Sequence, residues 1–298
     1  MSAQLLQRHL VSDLINRHML FLLTVDNQIY SGIRQILADP ATRTAKYSLI
    51  HHDMLLGRYH SFCHHENGVS AYYWPLTDEQ KAIVLQAAIK NPLSTLIFPY
   101  TFMDEDQKEL VSPPEYWNVG EADVNYLDTG EEYLRAYTAD ILRQLDLPPN
   151  SIIYDPACST GRLLASIQDA HPQLRVVGAD ISSHMVAIAS HHIKEVSCLN
   201  PADLIKGASK CDVLILRFLN SEVMKKEEAE DYFVKFAEAL QQGAYVFMFG
   251  YTAILINVLY MASRCGLEIE RAIGHCDDHI FEYYVLRKAA HTGLSGQL

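Results

Sequence analysis

YDPACSTGRLLASI, residues 154–167, decides how this chain folds. Strand formers Ile152, Ile153 and Tyr154 run into an acid, Asp155, and the chain then passes through the small residues of PACSTG. A helical pattern restarts at Arg162. A strand that turns through a loop of small residues into a helix is the first unit of a doubly wound sheet, whose ligands sit outside the carboxyl ends of the strands. The loop is not a P-loop, because Arg162 follows Gly161 where a lysine and a hydroxyl residue are required. With one glycine it is not GxGxxG either. An acid at the strand end suits a cationic ligand better than a phosphate.

The flanking sequence repeats the alternation. A helix is expected over about 129–145, a strand over 151–155, a helix over 161–170, the strand RVVGAD and a helix over 183–193. A short strand near 195–199, CDVLILRF, the helix KEEAEDYFVKFAEAL, AYVFMFG and a helix around 252–265 follow. LEIERAI and HIFEYYVLR close the chain without a helical crossover, so an antiparallel hairpin at a sheet edge is expected. Asp180 ends the second strand nineteen residues beyond Gly161, well placed for two ribose hydroxyls. Acids at two neighbouring strand ends, with no phosphate cradle, describe S-adenosylmethionine.

Residues 150–288 resemble a class I S-adenosylmethionine-dependent methyltransferase, covering about half the chain. Asp155 to Gly161 matches the first motif of that family, GADIS (178–182) the second, NPADL (200–204) the adenine loop and CDVLILRFLN (211–220) the fourth strand. The resemblance implies a Rossmann-like, seven-stranded α/β sheet. It places Asp155 and the loop Ala157, Cys158, Ser159 and Gly161 at the donor's amino-acid end, Asp180 on the ribose, and Asp203 with Leu204 by the adenine. Ile181 and Met185 would flank the ring, with Arg217, Phe218 and Leu219 beneath the sulfonium. DPACSTG is also similar to the first motif of adenine-specific DNA methyltransferases, but RFLN (217–220) lacks their base clamp.

Composition narrows the partners. The 298 residues are 49% apolar with a formal charge of −12, and the longest basic run near the family's fourth strand is Lys225-Lys226. A protein that neutralises nucleic-acid phosphates is normally basic. A small-molecule substrate is therefore expected, with no nucleic acid and no membrane partner, and a homodimer is the oligomeric candidate. Six scattered cysteines without a CxxC pair, and no signal-peptide pattern, point to a cytoplasmic protein with reduced thiols.

Residues 1–114 read as a mostly helical cap ahead of the donor domain at 115–298. Leu6, Leu10, Leu14 and then Leu20 or Phe21 recur on roughly one helical face, and Thr77 with Gln80 forms a capping-box signature. Such an extension suits a small enclosed substrate. His60, Cys63, His64 and His65 cluster, but no second group at zinc-like spacing supports them, so no metal is expected. Tyr126, ahead of the helix that leads into the first strand, is the preferred catalytic and donor-covering residue. Asn91, Asn125, Tyr100 and Tyr133 follow it, and Cys158 has no base to make it a nucleophile. Methyl transfer to a small acceptor is the leading reading. The alternative, carried by resemblance to azetidine-2-carboxylate synthases of bacterial secondary metabolism, is intramolecular cyclisation of the donor with release of methylthioadenosine.

Overall fold

The computed structural model describes residues 5–12, 16–39, 44–113, 116 and 129–289. The second half is the expected doubly wound sheet. After α2 (Glu132–Leu145) come β9 (Ile152–Asp155), α3 (Arg162–Ala170), β10 (Arg175–Asp180), α4 (Ser183–Ala189) and β11 (Val196–Cys198). Then follow α5 (Pro201–Gly207), β12 (Val213–Leu216), α6 (Lys226–Ala239), β13 (Tyr245–Phe249), α7 (Val258–Arg264), β14 (Leu267–Cys276) and β15 (His279–Lys288). The strand order is β11-β10-β9-β12-β13-β15-β14, parallel except for β15, which runs antiparallel to both β13 and β14. The order reverses between β9 and β12, where a ligand crevice forms. All four residues of β12 (VLIL) are buried, as a central parallel strand covered on both faces demands. One core cluster centres on Phe233, Phe236 and Met248, and the other on Ile153, Ile167 and Phe247.

The N-terminal region corrects the helical expectation. It is a six-stranded antiparallel sheet, ordered β1-β7-β6-β3-β2-β8. Its strands are β1 (Gln7–Val11), β2 (Leu20–Val25), β3 (Gln28–Ile33), β6 (Leu55–His65), β7 (Gly68–Pro75) and β8 (Thr95–Ile97); β4 (Leu37–Asp39) and β5 (Thr44–Lys46) pair separately. α1 (Asp78–Lys90) alone matches the helical reading, with the Thr77/Gln80 capping box in place. The leucine spacing misled because its members belong to different elements, with Leu10 on β1 and Leu20 on β2 beyond a 3-10 turn at Asn16–Met19. Leu6 and Leu10 are in fact 43% and 48% exposed, while Val11 is buried.

α1 and this sheet pack Phe21, Leu55 and Leu85 against Ile273 and Ile280 of the β14–β15 hairpin. Ile50 bridges Ile280, the Ser112 N–H donates to Glu222 O, and Tyr47 packs edge-on to Tyr251. The N-terminal region thus reaches the loops that follow β12 and β13, at the carboxyl ends of the large sheet. Among the described residues no helix is long and apolar enough to cross a membrane, and the six cysteines are free.

Candidate active site

Asp155 ends β9 fully buried. Its Oδ1 accepts the Ala157 N–H at 3.0 Å, and its Oδ2 has no hydrogen-bond partner among the described residues. Burial pushes this carboxyl up to about 7, against the pull of Arg217, with Asp180 and Glu131 adding to the rise. Asp180, at the end of the adjacent β10, accepts Ser159 N–H on Oδ2 at 3.0 Å and Ser182 N–H on Oδ1 at 2.9 Å. Burial raises it as well.

Arg217 follows β12 and donates through Nη2 to Glu131 Oε2 at 2.5 Å, with both side chains largely buried. Burial lowers the guanidinium's proton affinity, but Glu131 and Asp155 outweigh that and hold it charged. Two carboxylates, Glu131 and Asp155, act on one guanidinium, and Asp180 acts on Asp155 beside them, an excess of two negative charges when all are ionised. Sequence reasoning missed Glu131, because an acid just ahead of a helix reads as ordinary favourable charge at its N-terminus.

The loop PACSTG is not the amide cradle its composition suggested. The N–H groups of Ala157, Cys158, Ser159 and Gly161 go to Asp155 Oδ1, Ala179 O, Asp180 Oδ2 and Cys158 O. They fasten the two acids to the loop instead of facing a ligand. Gly161 is required: its φ is +77°, and a Cβ there would lie 3.0 Å from Ala189 Cβ.

The structure divides the expected site residues. Asp155, Ala157, Ser159, Asp180, Ile181 and Arg217 gather at the strand ends, with Ile181 63% exposed at the mouth. The side chains of Cys158, Met185 and Leu204 are packed into the core. Burial and the nearby Asp155 and Asp180 push the Cys158 thiol far above its ordinary range, so it is inert as a nucleophile. Phe218 turns towards α6, its ring edge-on to Tyr232 and Phe236, and Leu219 is fully buried. Asp203 caps α5 from its first turn, holding Asn200 Nδ2 and Lys206 Nζ at 2.7 Å each.

Asn91 is a correction too. Its amide donates to Asp26 Oδ1 and accepts from Leu93 N–H, closing the turn after α1. The next residue, Pro92, accepts from Ala272 of β14, four strand steps or about 19 Å across the sheet from β9. The Tyr133 hydroxyl is buried against Ser48 Oγ, and Tyr100 pairs with His64 Nε2 at 3.3 Å in the N-terminal region. Asn125 and Tyr126 lie outside the described residues. On β6, His60 and His65 each meet a serine hydroxyl, so the cluster lies on a strand with hydroxyl partners. His51, His52 and Asp53 bring three ligand-type atoms within 4.8 Å of one another. His51 is also held by Asp278 at 3.1 Å, which ties the N-terminal region to the β14–β15 turn.

Strand order and the two strand-end acids define a class I S-adenosylmethionine-dependent methyltransferase fold, and a family model described as a methyltransferase domain matches residues 153–243. The chain belongs to that superfamily. Within it, isonocardicin synthase of Nocardia uniformis subsp. tsuyamanensis is 31% identical over 253 residues, covering 84% of this chain and 82% of that protein. Solved structures with a similar fold include a sugar N-methyltransferase from Streptoalloteichus (14% identity, 58% of this chain and 94% of that one, TM-score 0.46). The N-methyltransferase NodS from Bradyrhizobium japonicum, in complex with S-adenosyl-L-homocysteine, is another (14%, 59% and 96%, TM-score 0.44).

S-adenosylmethionine is the cofactor of this superfamily, and the residues present fit it. The partnerless Asp155 Oδ2 and the excess negative charge suit a ligand with an ammonium and a sulfonium. The two Asp180 oxygens offer about four acceptor sites, and with the Ser159, Ser182 and Ile181 N–H groups donating, one is left for a ribose hydroxyl.

Proposed function

We propose that this chain transfers the methyl group of S-adenosylmethionine to a small acceptor in secondary metabolism. The buried, partnerless Asp155 Oδ2 carries the reading: it is the one strand-end oxygen left without a donor, and an ammonium supplies what it lacks. The donor, when bound, offers an electrophilic methyl group. Asp155 holds its ammonium, Asp180 a ribose hydroxyl, and the exposed Ile181 lies along its adenine. Arg217 is kept from repelling the sulfonium by its pairing with Glu131. The N-terminal region, meeting the loops after β12 and β13, encloses the acceptor and excludes water. Kinship with isonocardicin synthase over most of both chains supports the setting in secondary metabolism.

A second reading is intramolecular cyclisation to azetidine-2-carboxylate. One observation favours it: a carboxyl pushed up to about 7 beside the ammonium is poised to take its proton near neutral pH. The freed amine would then bond to the γ-carbon as the carbon–sulfur bond breaks, and methylthioadenosine would leave.

Incubating the pure protein with S-adenosylmethionine alone separates the two. Under methyl transfer the donor persists until an acceptor-containing extract is added, and adenosylhomocysteine then forms. Methylthioadenosine appearing without any acceptor replaces the first reading with the second. Tyr126→Phe is expected to slow turnover and spare donor affinity, and unchanged turnover removes Tyr126 from the mechanism. Asp180→Ala is expected to weaken donor binding itself; an unaltered affinity undoes the ribose assignment.

A further inference from the structure

Arg34, which follows β3, is 6% exposed, and its Nε and Nη1 have no hydrogen-bond partner among the described residues. Nη2 reaches only the Met19 sulfur at 3.9 Å, and the guanidinium lies over the Phe98 ring at 4.7 Å. The backbone is fixed, since the Arg34 N–H donates to Met19 O at 2.8 Å. A buried guanidinium with two unfilled nitrogens is expensive unless something completes it.

Two carboxylates act on Arg34 from the large sheet, Glu282 and Glu222. Among the described residues neither forms an ion pair with it. The attraction is felt, yet direct contact is not made. Glu282 is on β15 level with the end of β13, and its Oε2 accepts the Ile254 N–H at 3.1 Å. Glu222, in the loop after β12, has a φ of +73°, an unfavourable backbone for a residue with a side chain. Its neighbour Asn220 has a buried Oδ1 with no partner among the described residues and bridges Ile254. The unfilled Arg34 donors thus face two carboxyl groups of the large sheet, one of them on a strained backbone, where the N-terminal sheet reaches the strand ends.

We propose that Arg34 anchors a carboxylate carried by the acceptor, bound between the N-terminal sheet and the loops after β12 and β13; this rests on the methyl-transfer reading. A guanidinium's planar fork fits a carboxylate through two parallel hydrogen bonds. A monoanion is favoured over a phosphate, because the Glu222 carboxyl already faces the site. Glu282 is kept protonated up to about pH 8 by burial, so it adds a hydroxyl donor and no repulsion. The donor's own carboxylate is the other source of this chemistry. It shares a carbon with the ammonium assigned to Asp155, whereas Glu282 lies three strand steps from β9, about 14 Å.

The test uses benzoate as a planar monoanion and benzamide as its neutral counterpart, titrated into the full chain saturated with adenosylhomocysteine. The wild type is expected to bind benzoate roughly tenfold or more tighter than benzamide. Arg34→Gln is expected to erase that preference, Arg34→Lys to keep part of it, and both to bind adenosylhomocysteine as the wild type does. A wild type that does not distinguish the two probes overturns the proposal, as does a preference that survives Arg34→Gln. Loss of adenosylhomocysteine affinity in a folded Arg34→Gln protein, or competition between benzoate and adenosylhomocysteine, also overturns it, by assigning Arg34 to the donor's carboxylate. Methylthioadenosine formed without acceptor marks failure of the methyl-transfer reading instead, and leaves the probe result to judge the carboxylate site separately.

Discussion

Two buried charge centres sit at the same end of the large sheet and are built in opposite ways. Around Arg217 the charges touch: Glu131 is 2.5 Å away, and Asp155 and Asp180 are tied down by loop amides. Around Arg34 the guanidinium faces the Glu222 and Glu282 carboxyl groups without touching them, and among the described residues its Nε and Nη1 are left unfilled. The first centre is complete except for the single oxygen that a cation would fill. The second lacks its middle. A preorganised centre costs little reorganisation when its ligand arrives, whereas an open one matches ligands that bring a matching charge. One site therefore suits an invariant donor and the other a selective acceptor.

The contrast can be broken by substitution. Arg217→Met removes one partner of a buried pair and strands Glu131, so thermal or urea unfolding is expected to show a loss of about 3–5 kcal/mol. A loss below 1 kcal/mol would mean the pair is solvated and the first centre is not preorganised. Asp155→Asn acts in the other direction. Its folded value of about 7 lies above the ordinary 3.8, so the folded state binds the proton more tightly than the unfolded chain. Stability from this group is full below pH 3.8 and is lost as pH rises to 7. Without donor, the variant is therefore expected to exceed the wild type at pH 8 by up to about 4 kcal/mol. A variant less stable than wild type at pH 8 contradicts the burial argument.

Arg34→Met is the mirror of the Arg217 change. No direct partner is stranded and a buried, unfilled guanidinium is removed, so the variant is expected to be at least as stable as wild type. A cost like that of Arg217→Met would show that the second centre is already paired. The pH profile of the free protein reads the two raised carboxyl groups together. Glu282, raised to about 8, loses its contribution between pH 4.5 and 8, overlapping Asp155. Melting temperature is expected to fall across that window, and saturating donor to restore only the Asp155 share. A flat profile argues against both raised values.

The donor half was legible because its signals are local and mutually consistent. A strand, an acid and a small-residue loop occur in order at 152–161, and a second acid ends β10. Fully apolar strands such as β12 need no partner information to be read. What the loop's amides do was not legible, since their acceptors, Ala179 and Asp180, come from another strand. The N-terminal half was misread because its regularly spaced leucines come from two strands, Leu10 on β1 and Leu20 on β2. Better signals were present in its turns. Asp26 and Asn27, with φ of 48° and 64°, make the tight turn between β2 and β3. Glu66 and Asn67 likewise form a two-residue connection between β6 and β7, just ahead of Gly68. Arg34 and Glu282 were invisible as a pair because they are far apart in the chain and meet only through packing of the two sheets.

The central claim, that Asp155 receives the donor's ammonium, is tested most directly by titrating S-adenosylmethionine into wild type and Asp155→Asn at pH 8. A roughly hundredfold loss of affinity is predicted, the scale expected when a desolvated charge pair loses one partner, in a variant that is itself no less stable. Equal affinity in the two proteins would contradict the account.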